Sequence, residues 1–292
     1  MKNSLHINPI VAPDAISSPT PAGYETATGP IPYGFTNDFM FRASLEANPL
    51  ALKGLICSML HLSWEQVISI TILNPFEFSN TVTDKDSILD LKILLNDQTF
   101  INLEMQLAKE VAWPERSLSY LCEIFKTLKK GETYSQIRPA IHIGFLDYDL
   151  FPEEPEFYAN YHLSNDVTHR IYTRKFSLSV LSLNRTELAT EEDKKFGIDH
   201  WAKLFKATTW EELRMIAKHN PHLEEAAKTI YQMSDDERIR ERCRAREEHY
   251  RILADYQNAA QQAQNELANV KKQLTDAQEY IAKLEAQLKQ KN

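Results

Sequence analysis

Glycine is scarce in this chain, with seven in 292 residues, and none builds the glycine-rich loop that cradles nucleotide phosphates. Cysteine is scarcer still. Cys57, Cys122 and Cys243 are odd in number and lack metal-ligand spacing, which excludes a disulfide framework or a zinc ribbon and fits a reducing cytoplasm. No apolar run reaches 18 residues, so no membrane-spanning helix is expected. The first residues show no basic-then-apolar signal pattern, and the expected location is cytoplasmic. An excess of positive charge is also missing. The formal net charge of −8 offers no general attraction to nucleic acid or to an anionic membrane. No Ser/His/Asp order stands out. His219 and His222 flank Asn-Pro and have no third ligand nearby in sequence, so they read as a helix-to-helix turn.

What is present suffices for a large core: 43% of residues are hydrophobic and 25% are charged. Residues 1–33, rich in Pro, Ser, Thr, Ala and Gly, read as a disordered N-terminal arm. A helix start follows at Asn37 or Asp38. Apolar residues at helical spacing then run to about His61, with a break at Asn48-Pro49. Gln66–Leu73 is a β-branched strand that Asn74-Pro75 ends. A helix is predicted from Trp113, with Pro114 in its first turn. Leu118, Leu121, Cys122, Phe125 and Leu128 line its predicted apolar face, and Lys129-Lys130-Gly131 is its stop. The strand 138–146 is almost wholly apolar and expected to be buried on both faces. Two alternating segments, Phe157–Leu163 and Ile171–Leu183, come next, and Glu191–Met233 is helical throughout. This order predicts an α/β or α+β domain with a mixed sheet, followed by a helical appendage.

The stretch 87–107 reads as a hairpin, two strands joined at Asn96-Asp97-Gln98. Side chains on a strand alternate between faces. Leu89, Leu91, Ile93 and Leu95 thus share one face, opposite Asp90 and Lys92; Ile101, Leu103, Met105 and Leu107 share another, opposite Asn102, Glu104 and Gln106. Two carboxylates and an amide converging from neighbouring strands suit a hard cation, since Mg²⁺ takes one or two carboxylates and keeps waters. A half-solvated antiparallel sheet shows the same alternation with no catalytic reason, and the pattern alone leaves both readings open.

The C-terminal segment is a heptad run behind a charge-dense stretch, Asp235–Arg251. Leu253, Ala260, Leu267, Leu274, Ile281 and Leu288 recur every seven residues, with Tyr256, Ala263, Val270, Ala277 and Leu284 three later each time. This is the seam of a coiled coil, and self-association is expected to cover it. Lys and Arg outnumber Asp and Glu by 11 to 8 over 238–292, but are outnumbered 22 to 33 over 1–237.

Several of these motifs, in order, resemble the PD-(D/E)XK nuclease family transposases, also called the Rpn family of recombination-promoting nucleases, from bacteria. They are TNDFMFRASL at 36–45, LDLKILLNDQTFINLEMQ at 89–106, ERSLSYL at 115–121 and KKGETYSQIRPAIHIGFLDYDLF at 129–151. The tryptophan-bearing helices near Trp201 and Trp210 are similar as well. The resemblance implies a restriction-endonuclease-like mixed sheet flanked by helices, and Mg²⁺-dependent hydrolysis of DNA phosphodiesters, with Mn²⁺ able to substitute. It implies Asp90 and Glu104 as metal-binding carboxylates. Gln106 stands where many relatives of the fold carry lysine, and a neutral amide orients water by hydrogen bonding only. Lys92 is a candidate for the missing charge, Asp38 for a further carboxylate, and Arg116 with Tyr120, four apart on one helix face, for phosphate contact. The basic residue that the family usually carries shortly before the motif aspartate is absent here, where Ser87-Ile88 precede Leu89. The expected organisation is a disordered arm (1–33), a nuclease-like domain (34–188), a helical appendage (189–234), and a charged helix with coiled coil (235–292). The expected partners are DNA and further copies of the chain. A non-catalytic oligomerising adaptor that keeps the fold is the alternative.

Overall fold

The computed structural model of the chain describes residues 10–11, 20–74, 90–126 and 133–291. Ser87–Leu89 at the head of the hairpin, Lys85, Leu128 and the Lys129-Lys130-Gly131 stop lie outside the described residues. Residues up to Arg246 form one compact unit and Glu247–Asn292 a second.

In the first unit two helices open the fold, α1 (Asp38–Ala47) and α2 (Pro49–Met59). Asn37 caps α1 by accepting from the Met40 N–H at 3.2 Å. Asn48 ends α1 and caps α2, its side-chain oxygen accepting from Leu50 and Ala51 N–H groups at 3.1 Å each, with Pro49 in the first turn. The strands are β1 (Ile10–Val11), β2 (Ser69–Ile72), β3 (Leu91–Leu95), β4 (Thr99–Gln106), β5 (Ala140–Leu146), β6 (Tyr158–His162) and β7 (Phe176–Ser182). They form one mixed sheet in the order β1-β2-β3-β4-β5-β7-β6. β4, β5 and β7 run parallel, and the other neighbours are antiparallel. The crossover from β4 to β5 carries α3 (Trp113–Phe125), as a parallel pair requires.

The hairpin forms as its pattern predicts, with Leu95 opposite Thr99 and Leu91 opposite Leu103. Asn96 and Asp97 turn the chain with φ of 49° and 54°, the left-handed region that these residue types tolerate. The Asn96 side chain also accepts from Ile68 N–H at 2.8 Å and donates to the Gln66 carbonyl at 2.8 Å, tying the turn to the start of β2.

The sheet has two covered faces. Ile101, Leu103 and Met105 of β4 and Ile143 and Phe145 of β5 meet α1, α2 and, after the short α4 (Glu191–Lys195), the helices α5 (Ile198–Lys206), α6 (Trp210–Ala217) and α7 (Pro221–Ser234). Phe205 of α5 packs against Phe41 and Phe145 with ring centroids 5.5 Å apart in each case. The segment that reads from sequence as an appendage therefore closes the same core as the sheet. On the other face, α3 packs through Trp113, Leu121 and Ile124 onto Ala140, Leu146, Leu178 and Val180. The buried stripe of α3 is Trp113, Ser117, Leu121 and Ile124, while Leu118 and Cys122 of the predicted stripe are exposed. Both stripes satisfy a period of 3.6, and the apolar residues of β5 and β7 select between them.

Part of the predicted disordered arm is ordered. Tyr24 is buried, its carbonyl accepts from Arg214 at 2.9 Å, and Ile31 N–H donates to the Thr208 carbonyl at 2.8 Å. A proline-rich composition describes a chain without a partner; residues 20–33 have one in α6 and the turn before it. The rest of that arm, apart from Ile10 and Val11, lies outside the described residues.

The last helix, α8 (Glu237–Lys291), is one continuous element. Within the second unit, Leu253, Tyr256, Leu267, Val270, Leu274 and Ile281 of the heptad positions are all exposed. No described helix is long and apolar enough to cross a membrane.

Candidate active site

Asp90 stands just before β3, where the chain enters the sheet. The Asn74 side chain fixes it there. Its amide donates to the Asp90 carbonyl at 2.9 Å and its oxygen accepts from Lys92 N–H at 2.9 Å, so one side chain continues the ladder beyond β2. Arg42 of α1 in turn donates to the Asn74 backbone carbonyl. Glu104 lies two rungs beyond Asn102 on β4, and α3 roofs this face of the sheet.

That roof removes the solvated reading of the polar alternation. Asp90, Asn102, Glu104 and Gln106 are 2%, 0%, 2% and 6% exposed, so the polar face is not a solvated one. The Asn102 amide donates to Asp90 Oδ2 at 3.2 Å. Arg116 reaches down from α3, with Nη2 2.8 Å from Glu104 Oε1 and Nη1 2.8 Å from Glu110 Oε2. From β5, His142 Nε2 lies 3.3 Å from Glu104 Oε2. Neither oxygen of Glu104 receives an aligned hydrogen bond, although both are within ion-pair range of these donors. Burial, and then the negative charge of Glu104, push the Asp90 carboxyl up to about 7 from 3.8; Asn102, Arg116 and Lys92 act in the opposite direction.

The other candidates fall at stated places. Gln106 donates through its side-chain nitrogen to the Ala108 carbonyl at 2.9 Å. Lys92, opposite Asn102 across the hairpin, is half-buried and faces Glu123 at 3.6 Å. Tyr120 lies beneath the Arg116 guanidinium, 5.4 Å from it. Burial pushes its phenol up; Arg116 pulls it down, and Asp90 and Glu104 add to the rise. Asp38 sits in the first turn of α1, and Arg246 grips its carboxylate with contacts of 3.1, 3.2 and 2.6 Å. Asn37 is the cap of that helix, so Asp38 lacks the capping role that its position suggests.

Reasoning from sequence missed Asn102 as a partner of Asp90, gave no part in the site to His142 or Glu110, and read Asn74 only as a strand end. Asn102 was legible on the right face of β4. His142 interrupts an otherwise apolar strand, which is the one signal that it offers. Glu110 and Asn74 lie in loops, where no periodicity marks them.

Among the described residues no group of three or more His, Cys, Asp and Glu is arranged to hold a metal. The site offers two carboxylates, buried side by side, one of them with oxygens that receive no aligned hydrogen bond. An oxygen donor set with more carboxylate charge than the single Arg116 guanidinium offsets fits a hard divalent cation, which takes its remaining ligands from water and substrate. Asp90 and Glu104 are the residues that would hold it.

No curated protein and no solved structure matches the chain. The model of the PD-(D/E)XK nuclease family transposases matches residues 35–263. The mixed sheet, its flanking helices and the long C-terminal helix fit the α/β fold of that family. The match spans the hairpin, the roofing helix and the helices behind the sheet, and the chain belongs to the PD-(D/E)XK nuclease family transposases.

Proposed function

We propose that the chain is a Mg²⁺-dependent DNA endonuclease of the Rpn-like class, serving recombination or mobile-element movement. The observation that carries this reading is the buried pair Asp90 and Glu104, held on adjacent strands despite their mutual repulsion. Two such groups raise the cost of folding, and a site that binds a cation recovers that cost on binding. When bound, the divalent cation supplies Lewis-acid activation and charge to offset the phosphate. Gln106 orients the attacking water by hydrogen bonding. Arg116, supported by Tyr120, meets the scissile phosphate through its planar fork. Lys92 adds positive charge from the neighbouring strand. Because the first 237 residues are acidic overall, DNA binding is expected to be weak and steeply salt-dependent.

The exposed heptad stripe of α8 fits a second copy of the chain, and the endonuclease would then act as a homo-oligomer in the cytoplasm. Analytical ultracentrifugation at micromolar concentration tests this; a monomer would remove it. The function itself is tested by nicking of supercoiled plasmid with Mg²⁺ or Mn²⁺. The wild type is expected to cut, and Asp90→Asn and Glu104→Gln are expected to leave the plasmid intact. Equal behaviour of all three proteins would instead favour a non-catalytic oligomerising adaptor.

A further inference from the structure

The segment between β6 and β7 runs past the end of the sheet as an ordered hairpin. His162 pairs with Ser177, and the chain pairs once more at Ser164 and Ile171. Asn165 builds the tip. Its side-chain oxygen accepts from the Val167 and Thr168 N–H groups at 3.0 and 2.7 Å, and its own N–H donates to the Arg170 carbonyl at 3.0 Å. The base is tied down as well, because the Lys175 ammonium donates to the carbonyls of Ser135 and Ile137 at 3.1 and 2.8 Å. A surface ordered in advance loses less conformational freedom when it binds.

Every residue from His162 to Arg170 is exposed, as are Tyr172 and Arg174. Val167 and Tyr172 keep 85% and 86% of their surface in water, so neither serves the core. The charge is one-sided. Residues 162–175 hold Arg170, Arg174 and Lys175 against Asp166, in a chain whose net charge is −8. Arg138, exposed just before β5, adds a cation at the same end of the sheet, where Phe100, Ala140 and Phe176 stand side by side. Among the described residues no acidic side chain pairs with Arg138, Arg170 or Arg174. Arg116, Arg185 and Arg246, by contrast, each face a carboxylate. Lys175 meets carbonyls, which leave its charge intact.

We propose that the β6–β7 hairpin is a clamp for the DNA backbone, in which Arg138, Arg170 and Arg174 hold phosphates and Tyr172 lies beside them. The inference takes its ligand from the nuclease reading of the site. Unpaired guanidinium groups suit phosphate oxygens through their planar fork, and an exposed tyrosine hydroxyl can donate to the same backbone. Position fits as well. Glu104 is four rungs along β4 from Phe100, roughly 13 Å, and β7 lies two strands over, roughly 10 Å. A duplex seated at the site reaches the hairpin within about one helical turn, roughly 34 Å. The clamp supplies positive charge that an acidic body otherwise lacks, and it does so without placing another cation beside Asp90 and Glu104. Because it grips phosphates, it adds affinity without reading sequence.

The test is fluorescence anisotropy of a labelled duplex about three helical turns long, with the full-length chain and with metal chelated so that binding is read without cleavage. Arg170→Ala/Arg174→Ala is expected to bind about tenfold more weakly at about 0.1 M salt. It should also flatten the slope of log affinity against log salt by about 2, since each lost phosphate contact removes about 0.9 from that slope. Lys194→Ala/Lys203→Ala removes the same charge from exposed side chains that face Glu191 and Asp199, and is expected to change neither quantity. Thermal unfolding should match the wild type in both variants, because all four side chains are exposed. A hairpin variant with wild-type affinity and slope would overturn the proposal, as would a wild type that binds no duplex. So would a hairpin variant that keeps its DNA affinity but loses binding to phosphatidylserine vesicles, which would make the hairpin a membrane contact. A wild type that shows the expected slopes but nicks no plasmid with Mg²⁺ would overturn the nuclease reading and leave the clamp standing.

Discussion

Two of the buried polar clusters among the described residues are built on opposite plans. Around Asn48, the side-chain nitrogen donates to Thr229 Oγ1 at 2.8 Å and to Glu225 Oε2 at 3.3 Å, while its oxygen caps α2. Lys228 lies 3.7 Å from Glu225 and 2.9 Å from Glu224, so charge is balanced where it is buried. Around Glu104 two carboxylates face each other, and buried oxygens of Glu104 and Asn102 receive no aligned hydrogen bond. The first cluster ties α2 to α7 and costs little to bury. The second sets one guanidinium, Arg116, against Asp90, Glu104 and Glu110, so negative charge stays in excess and suits a ligand that is positively charged.

The largest expected effect separates the clusters by activity. Asp90→Asn and Glu104→Gln should abolish plasmid cleavage yet leave the protein as resistant to urea as the wild type, or more so, when metal is chelated. A stability loss in both variants would make the second cluster structural like the first. The next effect is a pH slope. The Asp90 carboxyl, raised by burial and by Glu104, keeps its proton to about 7 when folded and to about 3.8 when unfolded. The folded state thus binds that proton more tightly, so its contribution to stability is complete below 3.8 and lost as pH rises through 7. Urea unfolding across this window with metal chelated should show wild-type stability falling relative to Asp90→Asn. A flat difference would show that burial and Glu104 do not together hold the proton on Asp90.

Third, Asn48→Ala should destabilise by about 2 kcal/mol, through the lost helix cap and the unpaired partners it leaves on α7. Denaturant unfolding measures it, and the specific activity of the remaining folded protein should not change. Last, Gly144→Ala should cost about 1–3 kcal/mol by overpacking against Trp113. Thermal unfolding reads the cost. Cleavage should fall as well, since the ring that covers His142 must move.

The hairpin was legible because every second residue is apolar over Leu91–Leu95 and again over Ile101–Met105, and because its turn carries Asn96 and Asp97, residues that accept positive φ. The strand β5 was legible for the same kind of reason: only a strand covered on both faces is so uniformly apolar. The stripe of α3 was not, because two helical faces competed and the partner surface on β5 and β7 chose between them. His142 escaped notice because nothing local distinguishes a site histidine from a core histidine. Its meaning depends on Asn102, 40 residues away, arriving beside it.

The sequence by itself determined the hairpin, the mixed α/β order, the long C-terminal helix with its heptads, and the set of polar residues on one face of β4. These follow from local periodicity and residue type, which act over a few residues. Only the tertiary structure decided that this polar face is buried, that Arg116 grips Glu104, that Arg246 grips Asp38, and that Asn102 and His142 stand between the two carboxylates. Burial and charge pairing depend on which distant surface covers a side chain, and that is set when α3 closes over the sheet.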